Sequence, residues 1–388
     1  MKHEDYVRTV YQILKQHVGS EVRSFGLYSD PCIETSILEE WLDIVKMKGV
    51  KEVDLDFSST FNFPHNLLDG ETSITTVKLT RCVLSFPDNF NGLRSLTSLT
   101  LEGVHVNSRL IDSVTRNCLF LENLALIQCR GGDFSLCIEA HGQKKFKKLT
   151  VANSSNLWKI EILVPTLSAF HYRGSGRDIS TAFFGSFLRL EDVVLDFINS
   201  KDFPDLPTCR LDLGRVTVLT ISSTFLEGNG RKSIFIPILK EVQFLMEETS
   251  YCNPYDIASF LTNCSHIERI FIDLNGFSFN CGHYWEFHNK VLLENLQFTL
   301  SHLKSVKVKG FKLQIAELSL VKFFLEKSPV LETMVLVTPK NQNRKVNVKD
   351  IDMCRQKFFS WQLSPRAKVD VFLHSRDRSS LHPTHSKL

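Results

Sequence analysis

Cysteine and histidine side chains occur together in one stretch of the sequence, where they could bind a metal ion. Cys264 and His266 are followed by Cys281 and His283. Structural zinc sites use thiolate and imidazole ligands in pairs at short, repeated spacing. The spacing here does not have that form, so the sequence predicts no metal site, and no motif in it requires a cofactor.

Catalytic motifs give equally little support for an enzyme. No G-x-S-x-G, P-loop or H-E-x-x-H sequence occurs. With 13 histidines in the chain, a Ser/His/Asp set could be assembled by chance. The sequence therefore predicts that the protein is not an enzyme. One alternative is a small-ligand receptor or hydrolase whose pocket is lined by the aromatic segment Phe279–Lys290. The other interpretation of that segment is packing against the edge of a sheet.

A basic run, QKKFKKL, could contact phosphate groups through Lys144, Lys145, Lys147 and Lys148. Phe146, however, falls on a core position of the repeat described below, so we expect these lysines to solvate a strand edge. The net charge of +3 is nearly balanced and predicts neither a nucleic-acid nor a membrane partner. No apolar run has transmembrane length and no signal peptide is evident, so we expect a soluble intracellular protein whose cysteines are reduced core residues.

The elements that must position any site come from a repeated spacing, L-x-x-L-x-L, which is the core of a leucine-rich repeat. Clear copies begin at Leu96 and at Leu121, where Cys129 takes the Asn/Cys position of the repeat. Twelve copies can be aligned, starting at Val50, Ile74, Leu96, Leu121, Phe146, Leu167, Leu190, Val216, Leu239, Ile267, Leu303 and Leu331. One repeat cannot bury its own apolar face, so neighbouring repeats must stack.

This register predicts an α/β leucine-rich-repeat solenoid, an open horseshoe with a curved parallel sheet and a helical or irregular convex side. Alternate strand residues such as Leu99 and Leu101 should point into the core. Three return segments have helical periodicity: 109–118, 255–264 and 318–328. In the second, Asn253 is the expected N-cap and Pro254 the first helical residue.

Several stretches resemble the plant F-box/FBD/LRR proteins. The first contains Trp41 on a helix leading to the strand GVKEVDLDF, and the central one contains a helix ending in Asn117-Cys118. The last resembles the FBD region, with a strand followed by a helix and a second strand. Its matching residues are His302, Leu303, Lys304, Val306, Gly310, Phe311, Leu331, Glu332 and Met334. The resemblance covers nearly the whole chain.

The resemblance implies a substrate-recognition scaffold of a ubiquitin ligase, which binds a protein or peptide on its repeats. An F-box would dock onto the ligase adaptor, but no F-box precedes Tyr6 in this sequence, so we expect adaptor binding only if the full gene product contains one. A non-functional or decoy fragment is an alternative. The expected domains are an N-terminal helix and capping strand (1–40), leucine-rich repeats (41–290), an FBD-like unit (291–373) and a disordered tail (374–388).

Residues between the inward leucines should face the concave side of the sheet and form the binding surface. The candidate residues are Glu52, Asp54, Asp56, Lys78, Glu102, His171, Arg173, Asp192, Asp196, Lys307 and Lys309. They give an acidic first strand and a basic late strand. That distribution would suit a partner of opposite polarity along its length.

The tail HSRDRSSLHPTHSKL is polar and has no apolar period, which predicts disorder. It ends in Ser386-Lys387-Leu388, the tripeptide that directs proteins to peroxisomes. The family resemblance implies the cytoplasm or nucleus, and peroxisomal import through this tripeptide is the alternative.

Overall fold

The computed structural model describes residues 3–29, 33–63, 68, 73–86, 92–131, 134–139, 144–155, 157–175, 183–184, 189–198, 212–229, 235–274, 276–279, 285–340 and 356–385. The chain divides into two compact units, Met1–Arg189 (unit 1) and Leu190–Leu388 (unit 2).

Unit 1 contains ten described strands and three described helices. The strands are β1 (Ser24–Ser29), β2 (Glu52–Phe63), β3 (Thr76–Leu84), β4 (Ser98–Glu102), β5 (Asn123–Ile127), β6 (Phe134–Glu139), β7 (Lys148–Ala152), β8 (Leu157–Leu163), β9 (Ala169–Gly174) and β10 (Phe183–Phe184). The helices are α1 (His3–Gln16), α2 (Thr35–Met47) and α3 (Ser108–Asn117). The main sheet is parallel with the order β1-β2-β3-β4-β5-β7-β9, and a second parallel sheet has the order β10-β8-β6.

Unit 2 repeats this plan with seven described strands. They are β11 (Asp192–Phe197), β12 (Val218–Ser222), β13 (Glu241–Leu245), β14 (Arg269–Asp273), β15 (Ser305–Lys309), β16 (Thr333–Val337) and β17 (Lys368–Phe372). The intervening helices are α4 (Ser223–Asn229), α5 (Pro254–Leu261), α6 (Lys290–Glu294), α7 (Ile315–Lys327) and α8 (356–361). A π-helical turn, Trp285–Asn289, leads into α6, and a 3₁₀ turn, His374–Arg376, follows β17. Each of these strands except β17 pairs in parallel with the strand that follows it in the chain.

The sequence register predicts these strands correctly. All twelve predicted repeat starts are buried, and each precedes one of the parallel strands from β2 to β5, β7, β9 or β11 to β16. In β4 and β5 the burial alternates, so Leu99, Leu101, Leu124 and Leu126 face the core. The leucine-rich-repeat fold class is therefore confirmed. The remaining main-sheet strands of the two units, β1 and β17, pair with the strands of the first and last predicted repeats.

Return segments are helical where the sequence predicts helices, and further helices that it did not predict, α4, α6 and α8, occur in unit 2. The three predicted helices are α3, α5 and α7, and Asn253 caps α5 by accepting a hydrogen bond from Tyr255 N at 2.9 Å. Between β5 and β9 the return segments are instead the strands β6 and β8. Their buried residues alternate, as at Leu136 and Ile138, and this period of two favours a strand rather than a helix.

In several repeats, left-handed backbone occurs at the residue directly after the last one that pairs with the following strand. These residues are Arg81 (φ 56°), Gly103 (62°), Gln128 (51°), Asn153 (51°) and Gly310 (79°). A side chain in this conformation costs about 1 kcal/mol, which only glycine avoids.

The five buried described cysteines are core residues, as the sequence predicts. Cys129 lies at its predicted repeat position, and its Sγ donates to Leu101 O of the preceding repeat at 3.3 Å. Burial raises the pKa of Cys129 to about 12, so its thiol stays protonated and keeps that donor. Across the part of the chain that the structure describes, each helix is too short or too polar to span a bilayer.

Candidate functional site

In each unit, the side chains of the main-sheet strands that point away from the core form three columns, here called the concave face of that unit. The parallel register aligns one residue of each strand in a column. In unit 1 the middle column is Gly26, Asp54, Lys78, Thr100, Ala125, Thr150 and His171. In unit 2 it is Val194, Thr220, Gln243, Phe271, Lys307, Val335 and Asp370. The two columns are equivalent in register and differ strongly in exposure.

The concave face of unit 1 is open over its first strands and carries five of the predicted site residues. Asp54 is exposed, while Glu52 and Asp56 on the same strand are partly exposed. The Lys78 Nζ atom lies 3.3 Å from Glu102 Oε2, and the two side chains keep 42% and 33% exposure. This part of the face is therefore wet, polar and predominantly acidic.

One residue of this face, Arg81, was missed by the sequence argument. Its guanidinium donates to the Asp56 carboxylate and to the Phe57 carbonyl oxygen. Arg81 lies within β3, directly after Thr80, the last residue of β3 that pairs with β4, and it has left-handed backbone. The repeat spacing holds no signal for such a contact, because the spacing marks only apolar positions.

The other two predicted residues of unit 1 lie on β9. His171 is buried with 4% exposure, and Arg173 is partly exposed in the last column. His171 thus does not belong to the open part of the face that includes Asp54.

The concave face of unit 2 is covered by the chain's own C-terminal residues. After β17 and the 3₁₀ turn, residues 377–385, here called the C-terminal segment, make hydrogen bonds to β15, β13, β12 and β11 in that order. Eight residue steps in extended conformation span about 26 Å, and four strand spacings need about 19 Å. An extended segment of this length is therefore long enough to cross the sheet.

Lys307 is the central contact of the C-terminal segment. Its Nζ atom lies 2.7 Å from Asp377 Oδ2 and donates to Ser379 Oγ at 2.7 Å and to Leu381 O at 2.9 Å. The Lys307 side chain is only 1% exposed. Three oxygen partners use the three N–H donors of the ammonium group, so this charge is buried with its hydrogen bonds satisfied.

The far end of the C-terminal segment contacts two acidic residues in the first column of unit 2, Asp192 and Glu241. Thr384 N donates to Glu241 Oε1 at 2.6 Å, and Arg269 lies 2.7 Å from the other oxygen of the same carboxylate. His385 Nε2 lies 2.5 Å from Asp192 Oδ1, and His385 Nδ1 lies 2.8 Å from Thr220 Oγ1. Asp192, one of the predicted site residues, therefore contacts the C-terminal segment.

Two further predicted residues of unit 2 lie on the same strands as these contacts. Asp196, on β11 with Asp192, is buried with 6% exposure. Lys309, on β15 with Lys307, stays partly exposed.

The prediction of a disordered tail from residue 374 differs from the structure over 374–385. Exposure alternates along the C-terminal segment, with Asp377, Ser379, Leu381, Pro383 and His385 less exposed than the residues between them. The inward residues are mostly polar, so no apolar period revealed them. The Ser386-Lys387-Leu388 tripeptide lies outside the described residues.

The contact with Lys307 and Ser379 changes the pKa of the Asp377 carboxyl group. Burial by itself raises the pKa of Asp377, but hydrogen bonds from Lys307 and from Ser379 outweigh it and lower the pKa from 3.8 to about 2. Ser379 donates twice, from its backbone N at 3.0 Å and from its Oγ at 2.6 Å. The carboxylate form of Asp377 is therefore stabilised at all ordinary pH values.

The cysteine, histidine and aromatic residues considered first are only partly described. Cys264 is buried in the core, whereas His266 is exposed and stacks on His302 with ring centroids 5.1 Å apart. Cys281 and His283 lie outside the described residues.

The aromatic segment Phe279–Lys290 is described at Phe279 and from Trp285 onwards. Trp285 is 3% exposed and Phe287 is 79% exposed. Phe287 therefore cannot line an enclosed pocket together with Trp285, and the described part of the segment gives the receptor or hydrolase alternative no support.

The basic run lies at the start of β7, as predicted from its apolar partners. Phe146 is fully buried, Lys147 Nζ lies 2.8 Å from Glu122 Oε2, and Lys145 Nζ lies 4.5 Å from the centre of the Phe120 ring. At least two of the four lysines are thus engaged within unit 1.

Comparison with known proteins agrees with this architecture. Residues 13–363 match the family described as At1g61320/AtMIF1, LRR domain. The chain is 33% identical over 366 residues to the putative FBD-associated F-box protein At1g61330 of Arabidopsis thaliana, a match that covers 89% of this chain and 81% of that protein. It is 29% identical over 375 residues to the FBD-associated F-box protein At1g61320 of the same plant, with 89% and 79% covered.

Proposed function

Because the chain belongs to the leucine-rich-repeat family described as At1g61320/AtMIF1, we propose that it is a non-catalytic scaffold that binds a protein or peptide on its concave face. Its relatives are FBD-associated F-box proteins. We therefore assign it the substrate-recognition role of a ubiquitin-ligase receptor, acting in the cytoplasm or nucleus.

The observation that carries this proposal is the open polar face of unit 1. Asp54 and the partly exposed Lys78 lie side by side in the middle column, with Asp56 and Glu102 in the next. Parallel strands fix the spacing of the backbone positions that carry these charges, so this part of the backbone need not become ordered on binding. Acidic groups at fixed spacing favour a partner with a basic surface.

Capture of partners from plant cells tests the proposal. We compare the natural chain with the double charge reversal Asp54→Lys/Asp56→Lys. A matched control, Glu40→Lys/Asp43→Lys, makes the same charge change on exposed residues of α2. We expect the control to retain the partners of the natural chain and the concave variant to lose at least one of them. Identical partner sets for all three chains would remove this face from consideration.

The ligase role has a separate readout. A captured partner that is a substrate should become longer-lived when the chain is depleted from cells, because its ubiquitylation would fall. A partner whose lifetime does not change would support binding and contradict the receptor role.

A further inference from the structure

The contacts between the concave face of unit 2 and the C-terminal segment indicate what kind of peptide this face can bind. The groups that hold the C-terminal segment belong to strands of the sheet, and between them they recognise several chemical features of an extended peptide. Lys307 binds a carboxylate, a hydroxyl and a carbonyl oxygen. Glu241 accepts a backbone N–H, and Asp192 together with Thr220 binds both nitrogens of an imidazole.

Polar groups of the sheet beneath the C-terminal segment also indicate that the surface is built for an occupant. Glu241 is 1% exposed, Thr220 2% and Gln243 8%. A row of carboxylate, amide, hydroxyl and ammonium groups at the centre of a sheet face is costly to bury unless hydrogen-bonding partners reach it. The C-terminal segment supplies such partners for Lys307, Glu241 and Thr220.

We propose that the concave face of unit 2 is a binding groove for an extended peptide, occupied in this chain by residues 377–385 and opened when a partner displaces them. The ligand class is a peptide with an acidic residue, a hydroxyl residue two positions later and a histidine eight positions after the acid. That spacing is the one between Asp377, Ser379 and His385. The proposal deepens the concave-face function and rests on it for the partner's identity.

Tethering explains why the segment acts as an inhibitor of its own groove. A segment joined to its site by a short connection has an effective concentration in the millimolar range. A free peptide with the same contacts must compete with that concentration, so its apparent affinity is the intrinsic affinity multiplied by the fraction of molecules whose groove is open. Weakening the segment within the chain should therefore strengthen binding of the free peptide.

The test uses the full-length purified protein and a fluorescent synthetic peptide with the sequence of residues 374–385, followed by fluorescence anisotropy. Three chains are compared: the natural chain, Asp377→Ala/His385→Ala, and the control Arg378→Ala/His382→Ala, whose changed residues are exposed. We expect the first variant to bind the peptide about tenfold tighter or more than the natural chain, and the control to match the natural chain. Equal binding by all three chains, or no binding by any, would overturn the proposal.

A second arm changes only the peptide, so a folding defect of the protein cannot produce its result. A peptide with the Asp377→Ala and His385→Ala changes should bind the Asp377→Ala/His385→Ala chain at least about tenfold more weakly than the natural peptide. A peptide with the Arg378→Ala and His382→Ala changes should bind as the natural one does. If both altered peptides bind alike, the groove does not read the proposed residues.

A third arm locates the binding site and uses the natural chain. Hydrogen exchange of residues 377–385 should accelerate when excess unlabelled peptide is added, because the peptide takes the place of the segment. Unchanged exchange at a peptide concentration that saturates the anisotropy signal would place the peptide elsewhere and contradict the proposal. All three arms use purified components, so their failure is distinguishable from a failure of the cell-based capture.

Discussion

Lys78 in unit 1 and Lys307 in unit 2 occupy equivalent places, each in the middle column of its concave face. The side chain of Lys78 is 42% exposed and lies 3.3 Å from one carboxylate. That of Lys307 is 1% exposed and contacts three oxygen atoms of the C-terminal segment. The same residue type at the same repeat position is thus a solvated surface group in one unit and a buried anchor in the other.

The cores beneath the two concave faces are alike. Leu99 and Leu124 of unit 1 are as fully buried as Ile270 and Val306 of unit 2, and both sheets use the same parallel register. The difference between the units therefore does not come from the repeats. It comes from a segment that lies on one face and has no counterpart among the described residues on the open part of the other.

The largest effect should appear where the units are alike. Leu124→Ala in unit 1 and Ile270→Ala in unit 2 each leave a cavity in a close-packed core, and we expect each to lower the free energy of unfolding by about 2–5 kcal/mol. Chemical denaturation of the two variants measures this. A loss below 1 kcal/mol in either unit would contradict the inward assignment there.

The two lysines should differ when each is replaced by methionine. Lys307→Met removes the buried partner of Asp377, and we expect the free energy that holds the C-terminal segment to fall by about 3 kcal/mol. Lys78→Met breaks a half-exposed ion pair and should cost about 0–1 kcal/mol. Hydrogen exchange of residues 377–385 should accelerate about a hundredfold in Lys307→Met and stay unchanged in Lys78→Met. Equal exchange rates in the two variants would contradict the assignment of Lys307 as the residue that holds the C-terminal segment.

The acid dependence of stability should distinguish the covered face. Because the pKa of Asp377 is lowered from 3.8 to about 2, its carboxylate stabilises the folded chain fully above pH 4 and loses this effect as the pH falls towards 2. The contribution is on the order of 2 kcal/mol. Denaturation of the natural chain and of Asp377→Asn at several pH values should show a difference that is constant from pH 7 to about 4 and shrinks below it. If the difference in the free energy of unfolding changed between pH 5 and 7, a titrating group other than Asp377 would be responsible.

The smallest effect concerns two threonines in the middle columns. Thr220 is 2% exposed and hydrogen-bonded to the C-terminal segment through His385, so Thr220→Ala should cost about 1 kcal/mol. Thr100 is partly exposed on the open face, and Thr100→Ala should stay within about 0.5 kcal/mol. Thermal unfolding compares the two directly. Matching melting temperatures would mean that the covered face adds no stability at this position.

The predictable part of this molecule is the part that rests on apolar spacing. All twelve repeat starts, the helices α3, α5 and α7, and the cap at Asn253 follow from the sequence. The extended return strands β6 and β8 were not predicted, because short alternating segments such as 134–139 carry too few apolar residues to separate strand from irregular structure. Arg81 was missed because its left-handed backbone within β3 and its contacts with β2 leave no periodic signal.

The concave site was predictable as a set of positions and not as a surface. The sequence by itself determined which residues point away from the core, since burying alternate side chains of a parallel strand fixes that through local geometry. Only the tertiary structure decided which of them are accessible. The partners that cover unit 2 are far apart in the chain, 72 residues between Lys307 and Ser379 and 193 between Asp192 and His385. Polar contacts over such separations depend on where the folded chain brings a segment back, and no local pattern encodes that.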